Sequence, residues 1–397
     1  MAGLSITAVA DDLTGAAEIA AIGHRYGLQA AILTRKGRLS KQPNLAVYDT
    51  DTRLLPTSEA SQRLQLLGEN IATHRPEFIY KKTDSVLRGN VAAEIIALAR
   101  SLNLRRILLL PANPSLGRTT HKGQYFINGT PINETAFARD PHHPANSACI
   151  ADLLGPAPDW PVSIIKPGDT LPEQGIIVGE TSTSADVEHW ASRLDPQTLP
   201  AGGAEFFEAC LKRRSLTPVT TAVPAASGPI LLITGALTPA RQKLSEHAHS
   251  AGWPSLPMPS ALAEHGVNEA VSKEWIKQLA HSLSKSGLTL TESPGLALDD
   301  HIAAEQIRNA FGELVRQLHA KGVIGHLIVE GGATSAAISE AVGWSSFDVL
   351  GSWAPGVISL RPTDTQQPVF TIKPGSYTWP EILWQQLDTS YIPAAKS

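Results

Sequence analysis

The stretch AVADDLTGAAEIA, residues 8–20, decides the fold. Its first residues complete an apolar run, Ser5–Ala10, that is short and lacks polar alternation, so it predicts a strand buried on both faces of a parallel sheet. Two acids, a threonine and a glycine then turn the chain into a helix over Ala16–His24. The same succession recurs downstream. Apolar runs at Ala30–Leu33, Leu45–Tyr48, Phe78–Tyr80 and Arg106–Leu110 alternate with helical stretches at Glu59–Thr73 and Asn90–Leu102. A βαβα order of this kind predicts a parallel sheet covered by helices.

Further along, Gly175–Val178 reads as a strand and Ser184–Leu194 as a helix. After Arg214 the composition changes to SLTPVTTAVPAASGP, a polar, turn-rich stretch that marks a domain boundary. A second α/β series follows, with strands at Ile230–Ile233, Gly287–Leu298, His326–Val329, Val357–Leu360 and Val369–Ile372. Helices are predicted near Pro239–Ala251, Ala270–Ser286, Ala303–Ala320, Gly331–Ala341 and Trp379–Leu387. The expected architecture is α/β: two α/β/α domains, residues 1–222 and 223–397, with mainly parallel sheets and an active-site cleft between them.

Composition narrows the function. The 397 residues include 33 Lys and Arg against 37 Asp and Glu, a formal charge of −4 with no basic block, which argues against nucleic-acid binding. A hydrophobic fraction of 42% supports packed cores and excludes a disordered chain. Cys149 and Cys210 have no paired spacing, so neither a disulfide framework nor a thiolate metal site is expected. No apolar run approaches the roughly 18–20 residues of a membrane span, and a cytoplasmic protein is expected.

The chemistry gathers where strands end, which is where open α/β sheets bind ligands. Asp11 and Asp12 close the first strand beside Thr14 and Gly15. A carboxylate there can accept a substrate hydroxyl, act as a base or simply cap the helix. Asp49, Asp51 and Arg53 follow the third strand in YDTDTR. The run FIYKKTDSVLRGN, 78–90, packs Lys82, Thr83, Asp84, Ser85 and Arg88 into one loop, and a guanidinium beside an ammonium suits a hydroxy acid. Residues 111–135, PANPSLGRTTHKGQYFINGTPINET, carry Arg118 and His121 in what reads as a long irregular binding loop. The DPHHPAN run lacks the partners of a metal site, and no metal ligands are assigned.

In the second half, HLIVEGGATSAAI, 326–338, is a strand, a Gly331-Gly332 turn and a helix start with Thr334 and Ser335, a natural phosphate cradle. It matches neither GxGxxG nor GxxxxGK[ST]. Gly356, Lys373 and Gly375 add turns and a cation.

Together, ADDLTGA at 10–16, YKKTDSVLRGN at 80–90, the 111–135 segment and EGGATS at 330–335 resemble the four-carbon acid sugar kinase family. The resemblance implies an ATP-dependent kinase of D-threonate, D-erythronate or a 3-oxo-tetronate. It places the acid in the N-terminal domain and ATP, with Mg²⁺, mainly in the C-terminal one. On that footing Asp12, Asp84 and Arg88 are the catalytic candidates, with Asp12 or Asp84 orienting or deprotonating the attacking hydroxyl. Asp11, Asp49, Arg53, Lys82, Thr83, Ser85, Arg118 and His121 are the substrate-binding candidates. Gly235, Gly331, Gly332, Thr334, Ser335, Gly356, Lys373 and Gly375 are the nucleotide-binding candidates. In the stretch TGALTPARQ, 234–242, the serine that the family places after its first glycine is missing after Gly235. The rival readings are an NAD-dependent oxidoreductase, disfavoured by ADDLTG standing where GxGxxG is needed, and a non-catalytic sugar-acid sensor. A homodimer is the expected assembly, with no nucleic-acid or membrane partner.

Overall fold

A computed structural model describes residues 5–38, 42–140, 142–221, 225, 228–235, 239–294, 301–363, 365–375 and 377–390. The chain divides into two compact units, residues 1–30 with 42–220, and residues 31–41 with 221–397. The expected boundary at 222/223 lies outside the described residues.

The first unit begins with β1 (Ile6–Ala10) and α1 (Leu13–Arg25); β2 (Ala30–Leu33) then carries the chain into the other unit. There follow β3 (Leu45–Asp49), α2 (Thr57–His74), β4 (Phe78–Lys82), α3 (Val91–Ser101) and β5 (Arg106–Leu110). A small sheet of β6 (Arg118–His121), β7 (Gln124–Ile127) and β8 (Thr130–Pro131) comes next, then α4 (Ile150–Leu154) and β9 (Val162–Ile165). The unit closes with β10 (Gly175–Gly179), α5 (Ser184–Ser192), β11 (Thr198–Gly202) and α6 (Ala204–Arg213). Its main sheet runs β3-β1-β4-β11-β5-β10-β9, parallel throughout. Val9, Ile107, Leu109, Ile176 and Val178 point to one face and pack with Leu64 and Ile71 of α2 and Ile95 and Leu98 of α3. α1 and α6 lie against the strands as well and touch each other. Strand residues alternate between two helix layers, which is why these strands read as uninterrupted apolar runs.

Residues 111–135 are not an irregular loop. Arg118–His121 pairs antiparallel with Gln124–Ile127, and that strand with Thr130–Pro131. Both turns are two-residue turns at positive φ, Lys122 (49°) with Gly123 (73°) and Asn128 (50°) with Gly129 (81°), the geometry that matches strand twist in tight hairpins.

The second unit contains β12 (Ile230–Thr234), α7 (Pro239–Ser250), α8 (Ser260–His265), α9 (Glu269–Ser286) and β13 (Leu288–Glu292). Then come α10 (His301–Ala320), β14 (His326–Glu330), α11 (Gly332–Val342), β15 (Ser346–Ala354), β16 (Val357–Pro362), β17 (Val369–Lys373) and α12 (Glu381–Ser390). Strands β13-β12-β14-β17 are parallel, and β16 and β15 continue the sheet antiparallel. The expected strand Gly287–Leu298 ends at Glu292, with 295–298 outside the described residues. The Ala30–Leu33 run, expected in the parallel series, also pairs antiparallel with β15, Phe347 opposite Ile32. Among the described residues no helix is long and apolar enough to cross a membrane.

Candidate active site

Three neighbouring parallel strands of the first unit deliver their ends together. Asp49, the last residue of β3, sits opposite Ala10, the last of β1, and Lys81 near the end of β4 sits opposite Val9. Asp11 and Asp12, Asp49, and the loop from Lys82 to Arg88 therefore converge at the carboxyl edge of the sheet.

Two arginines thread these acids. Arg53 Nε donates to Asp11 Oδ2 at 2.7 Å and its Nη1 to Asp12 Oδ2 at 2.8 Å, while its Nη2 lies 3.7 Å from Asp84 Oδ2. Arg88 forks onto Asp84 at 3.2 and 2.8 Å and reaches Asp140 with Nη1 at 3.0 Å. Asp84 also accepts the backbone N–H groups of Val86 and Arg88. Burial works against its charge, but Arg88 and Arg53 outweigh burial and hold its carboxyl well below the usual range. Burial also opposes ionisation of Asp11, and Arg53 and Lys81 overcome it to leave that carboxyl below the ordinary value.

Asp12 takes the capping role its position allowed and adds a pairing the sequence did not suggest. It caps α1, accepting the Gly15 amide at 2.8 Å and the Thr14 hydroxyl at 2.5 Å, and it anchors Arg53. Asp49 differs from its neighbours. Its Oδ1 accepts the Asp51 amide at 3.0 Å and no cation among the described residues is paired with it; burial, then the carboxylates of Asp51, Asp12 and Asp11, push its pKa well above the usual value.

The adjacent lysines are buried. Lys81 is paired at 2.8 Å with Glu94 of α3, side chains 0% and 2% exposed. Lys82 donates to Thr83 O at 2.9 Å and lies 3.4 Å from Glu18. Asp11 Oδ1 and Thr83 Oγ1 are buried with no hydrogen-bond partner among the described residues. Arg118 donates through Nη1 to Ser85 Oγ and forms no ion pair among the described residues. His121 is exposed at the end of β6. A cavity of about 330 Å³ opens beside Arg88, Phe137 and His143.

In the second unit the parallel strands end at Thr234, Glu292, Glu330 and Lys373, in register with one another. Gly331 has φ of 108°, a conformation that favours glycine, and no side chain caps α11 behind it. Gly332 opens that helix, Thr334 and Ser335 are buried in its first turn, and a Cβ on Gly235 would come within 2.5 Å of Thr334 Oγ1. Gly356 turns β15 into β16 at the same sheet end, against the Tyr377 ring, and Gly375 follows β17. Lys373 is fully buried, bonded to Glu330 at 3.0 Å and Pro374 O at 2.9 Å, so its ammonium is already committed. Ser376 lies outside the described residues.

Apart from His121, the expected residues thus form two groups, one at the strand ends of each unit. Four partners were not foreseen: Glu18, Glu94, Asp140 and Glu330. Glu94 was legible, because it shares a helix face with Val91 and Leu98, an acid on an apolar stripe. Among the described residues no group of three or more His, Cys, Asp or Glu is arranged to hold a metal ion.

Two family models match the chain, a sugar-binding N-terminal domain over residues 6–193 and a nucleotide-binding C-terminal domain over residues 238–377. A D-threonate kinase of Cupriavidus necator is 27% identical, covering 98% of this chain and 99% of its own length. A D-threonate kinase of Salmonella typhimurium is 23% identical over 89% of this chain and 90% of its own. A 3-oxo-tetronate kinase of Brucella melitensis is 24% identical over 89% and 88%. Among solved structures, a chain from Salmonella typhimurium superposes with a TM-score of 0.81 at 19% identity, covering 98% of this chain and 100% of that one. A Haemophilus influenzae protein does so with a TM-score of 0.74 at 19%, covering 96% and 99%. These two establish a shared fold.

Proposed function

From a chain that matches the four-carbon acid sugar kinases at the level of the family, we propose an ATP-dependent kinase that phosphorylates a hydroxyl of a four-carbon sugar acid. D-threonate, D-erythronate and a 3-oxo-tetronate are the candidate acceptors, giving the 4-phospho acid and ADP. One observation carries the reading. The sugar-binding match encloses a strand-end cluster that keeps unused donors and acceptors for a small polyhydroxy acid.

The acid's carboxylate is assigned to Arg118. Arg118 spends one of its five N–H donors on Ser85, whereas Arg88 spends three on Asp84 and Asp140, so Arg118 has more to offer a planar carboxylate. Arg88 and Arg53 instead fix Asp84, Asp11 and Asp12 in place. Asp11 Oδ1 and Thr83 Oγ1 supply hydrogen-bonding capacity for substrate hydroxyls.

The nucleotide phosphates are assigned to the start of α11. Its glycine-led, uncapped amides suit an anion, and Gly235, Gly331 and Gly332 keep the approach free of side chains. Mg²⁺ arrives with ATP and offsets its phosphate charge. The chain's own contribution is alignment and fixed charge, which is what phosphoryl transfer requires.

The test is ADP release from Mg-ATP against D- and L-threonate, D- and L-erythronate, their 3-oxo forms, glycerate and five-carbon aldonates. Saturable turnover on a four-carbon acid, with the phosphorylated product identified by mass, is the expected result. Silence on every acid by a folded, ATP-binding protein refutes the substrate class.

A further inference from the structure

We propose that Asp49 accepts the proton of the attacking hydroxyl, a role that rests on the kinase reading and goes beyond it. Phosphoryl transfer to an alcohol forms a bond from the hydroxyl oxygen to the terminal phosphorus and breaks the bond from that phosphorus to the bridging oxygen of ADP. The hydroxyl proton has to leave, and Asp11, Asp12, Asp49 and Asp84 stand at the three strand ends to receive it.

Geometry separates them. Asp84 is saturated by two arginines and two backbone amides. Asp12 has both oxygens engaged, Oδ1 by the Gly15 amide and Oδ2 by Thr14 and Arg53. Asp11 is held on Oδ2 by Arg53. A carboxylate bound to a guanidinium is a weak base, because protonation gives up a charge-assisted bond. Asp49 has neither handicap. Its Oδ1 is oriented by the Asp51 amide, its Oδ2 carries no hydrogen bond among the described residues, and its register opposite Ala10 sets it beside Asp11 and Asp12.

The charged groups facing Asp49 are Asp11 and Asp12 beyond β1 and Asp51 in its own loop. Arg53, which could have neutralised them, is committed to Asp11 and Asp12 and leans toward Asp84. Burial and three carboxylates raise its affinity for a proton, which suits a base working near neutrality. The proton passes from Asp49 to solvent after product leaves.

The experiment compares wild type, Asp49→Asn and Asp12→Asn on the acid that wild type turns over, measuring kcat, KM and melting temperature from pH 5 to 9. The amide in Asp49→Asn still accepts the Asp51 N–H and relieves repulsion, so its melting temperature holds or rises. Its kcat falls by about 100-fold or more with KM for the acid nearly unchanged. Wild-type kcat/KM rises with pH through a limb above the ordinary carboxylate range, and the residual rate of Asp49→Asn lacks that limb. Asp12→Asn keeps the limb and loses melting temperature, since Arg53 loses a partner. Asp49→Asn retaining more than a tenth of wild-type kcat, or a wild-type kcat/KM that is flat from pH 5 to 9, overturns the assignment while leaving the kinase intact. Wild type silent on every acid overturns the kinase reading, and this assignment with it.

Discussion

Replacing Arg53 with methionine keeps the length of the side chain and removes the charge that binds three acids. Arg53 is 18% exposed, Asp11 4%, Asp12 18% and Asp84 6%, so solvent can do little to compensate. Removing one partner of a buried ion pair costs about 3–5 kcal/mol, because the remaining charge is left in a poor dielectric. For a unit of this size that lowers the melting temperature by about 6–20 °C at pH 7.5. The loss depends on pH in a definite direction. In wild type, Arg53 helps to depress the native pKa of Asp11 and Asp84, so their stabilisation is present above the unfolded carboxylate pKa and disappears only below it. Without Arg53 these carboxyls take up protons more readily in the native state, and the variant recovers as pH falls from 7.5 toward 4.5. Paired melts of wild type and Arg53→Met, followed by circular dichroism at both values, measure the gap. A gap under about 1 kcal/mol at pH 7.5, or one that is the same at pH 4.5, would falsify the picture of Arg53 as counter-ion to a buried acid cluster.

Glu94→Gln should destabilise the first unit by about 3–5 kcal/mol, since it leaves the fully buried Lys81 ammonium without its carboxylate; Lys81→Met with Glu94→Leu should recover most of that loss in chemical denaturation. Failure of the double variant to exceed Glu94→Gln in stability removes the ion-pair explanation. Gly235→Ala places a methyl where Thr334 Oγ1 stands at 2.5 Å, so ATP affinity measured by calorimetry should fall several-fold with the melting temperature within a few degrees of wild type; unchanged affinity dissociates Gly235 from the proposed phosphate site. Burial pushes the Cys210 thiol up to about 12, leaving roughly one part in 10⁴ as thiolate at pH 8. Iodoacetamide should therefore modify half-buried Cys149 in the native protein and reach Cys210 only after unfolding, and equal native rates at the two sites contradict that burial.

The strand-acid-helix opening was legible because each part is local. Ser5–Ala10 is apolar by itself, and Asp12 reaches only three residues forward to cap α1. The hairpins at 118–131 were equally local and were hidden by the polar composition of the segment. Lys122-Gly123 and Asn128-Gly129 are the signals, since both residues of each turn adopt positive φ. What local pattern cannot give is partnership at a distance. Arg53 meets Asp11 across 42 residues and Arg88 meets Asp140 across 52, and nothing in either neighbourhood encodes the other. The same holds for β15, whose pairing with Ala31–Leu33 joins segments more than 300 residues apart.

Those long-range pairs also explain how a site rich in carboxylates can be proposed to hold an acid. Asp11, Asp12, Asp84, Asp140, Glu18 and Glu94 are each spent on a particular cation, Arg53, Arg88, Lys82 or Lys81. The cluster therefore offers an incoming anion no broad positive potential. It offers directed donors held still by their own acids, with Arg118 the guanidinium that has most capacity left. Donors ordered before binding do not have to be ordered by the substrate, and a site of that kind selects by hydrogen-bond geometry more than by charge. A sugar acid carries both requirements, a carboxylate for the spare cation and several hydroxyls for buried acceptors. An inorganic anion or a simple carboxylic acid satisfies the first and leaves Asp11 Oδ1 and Thr83 Oγ1 unpartnered, at the cost that attends any buried polar group without a hydrogen bond.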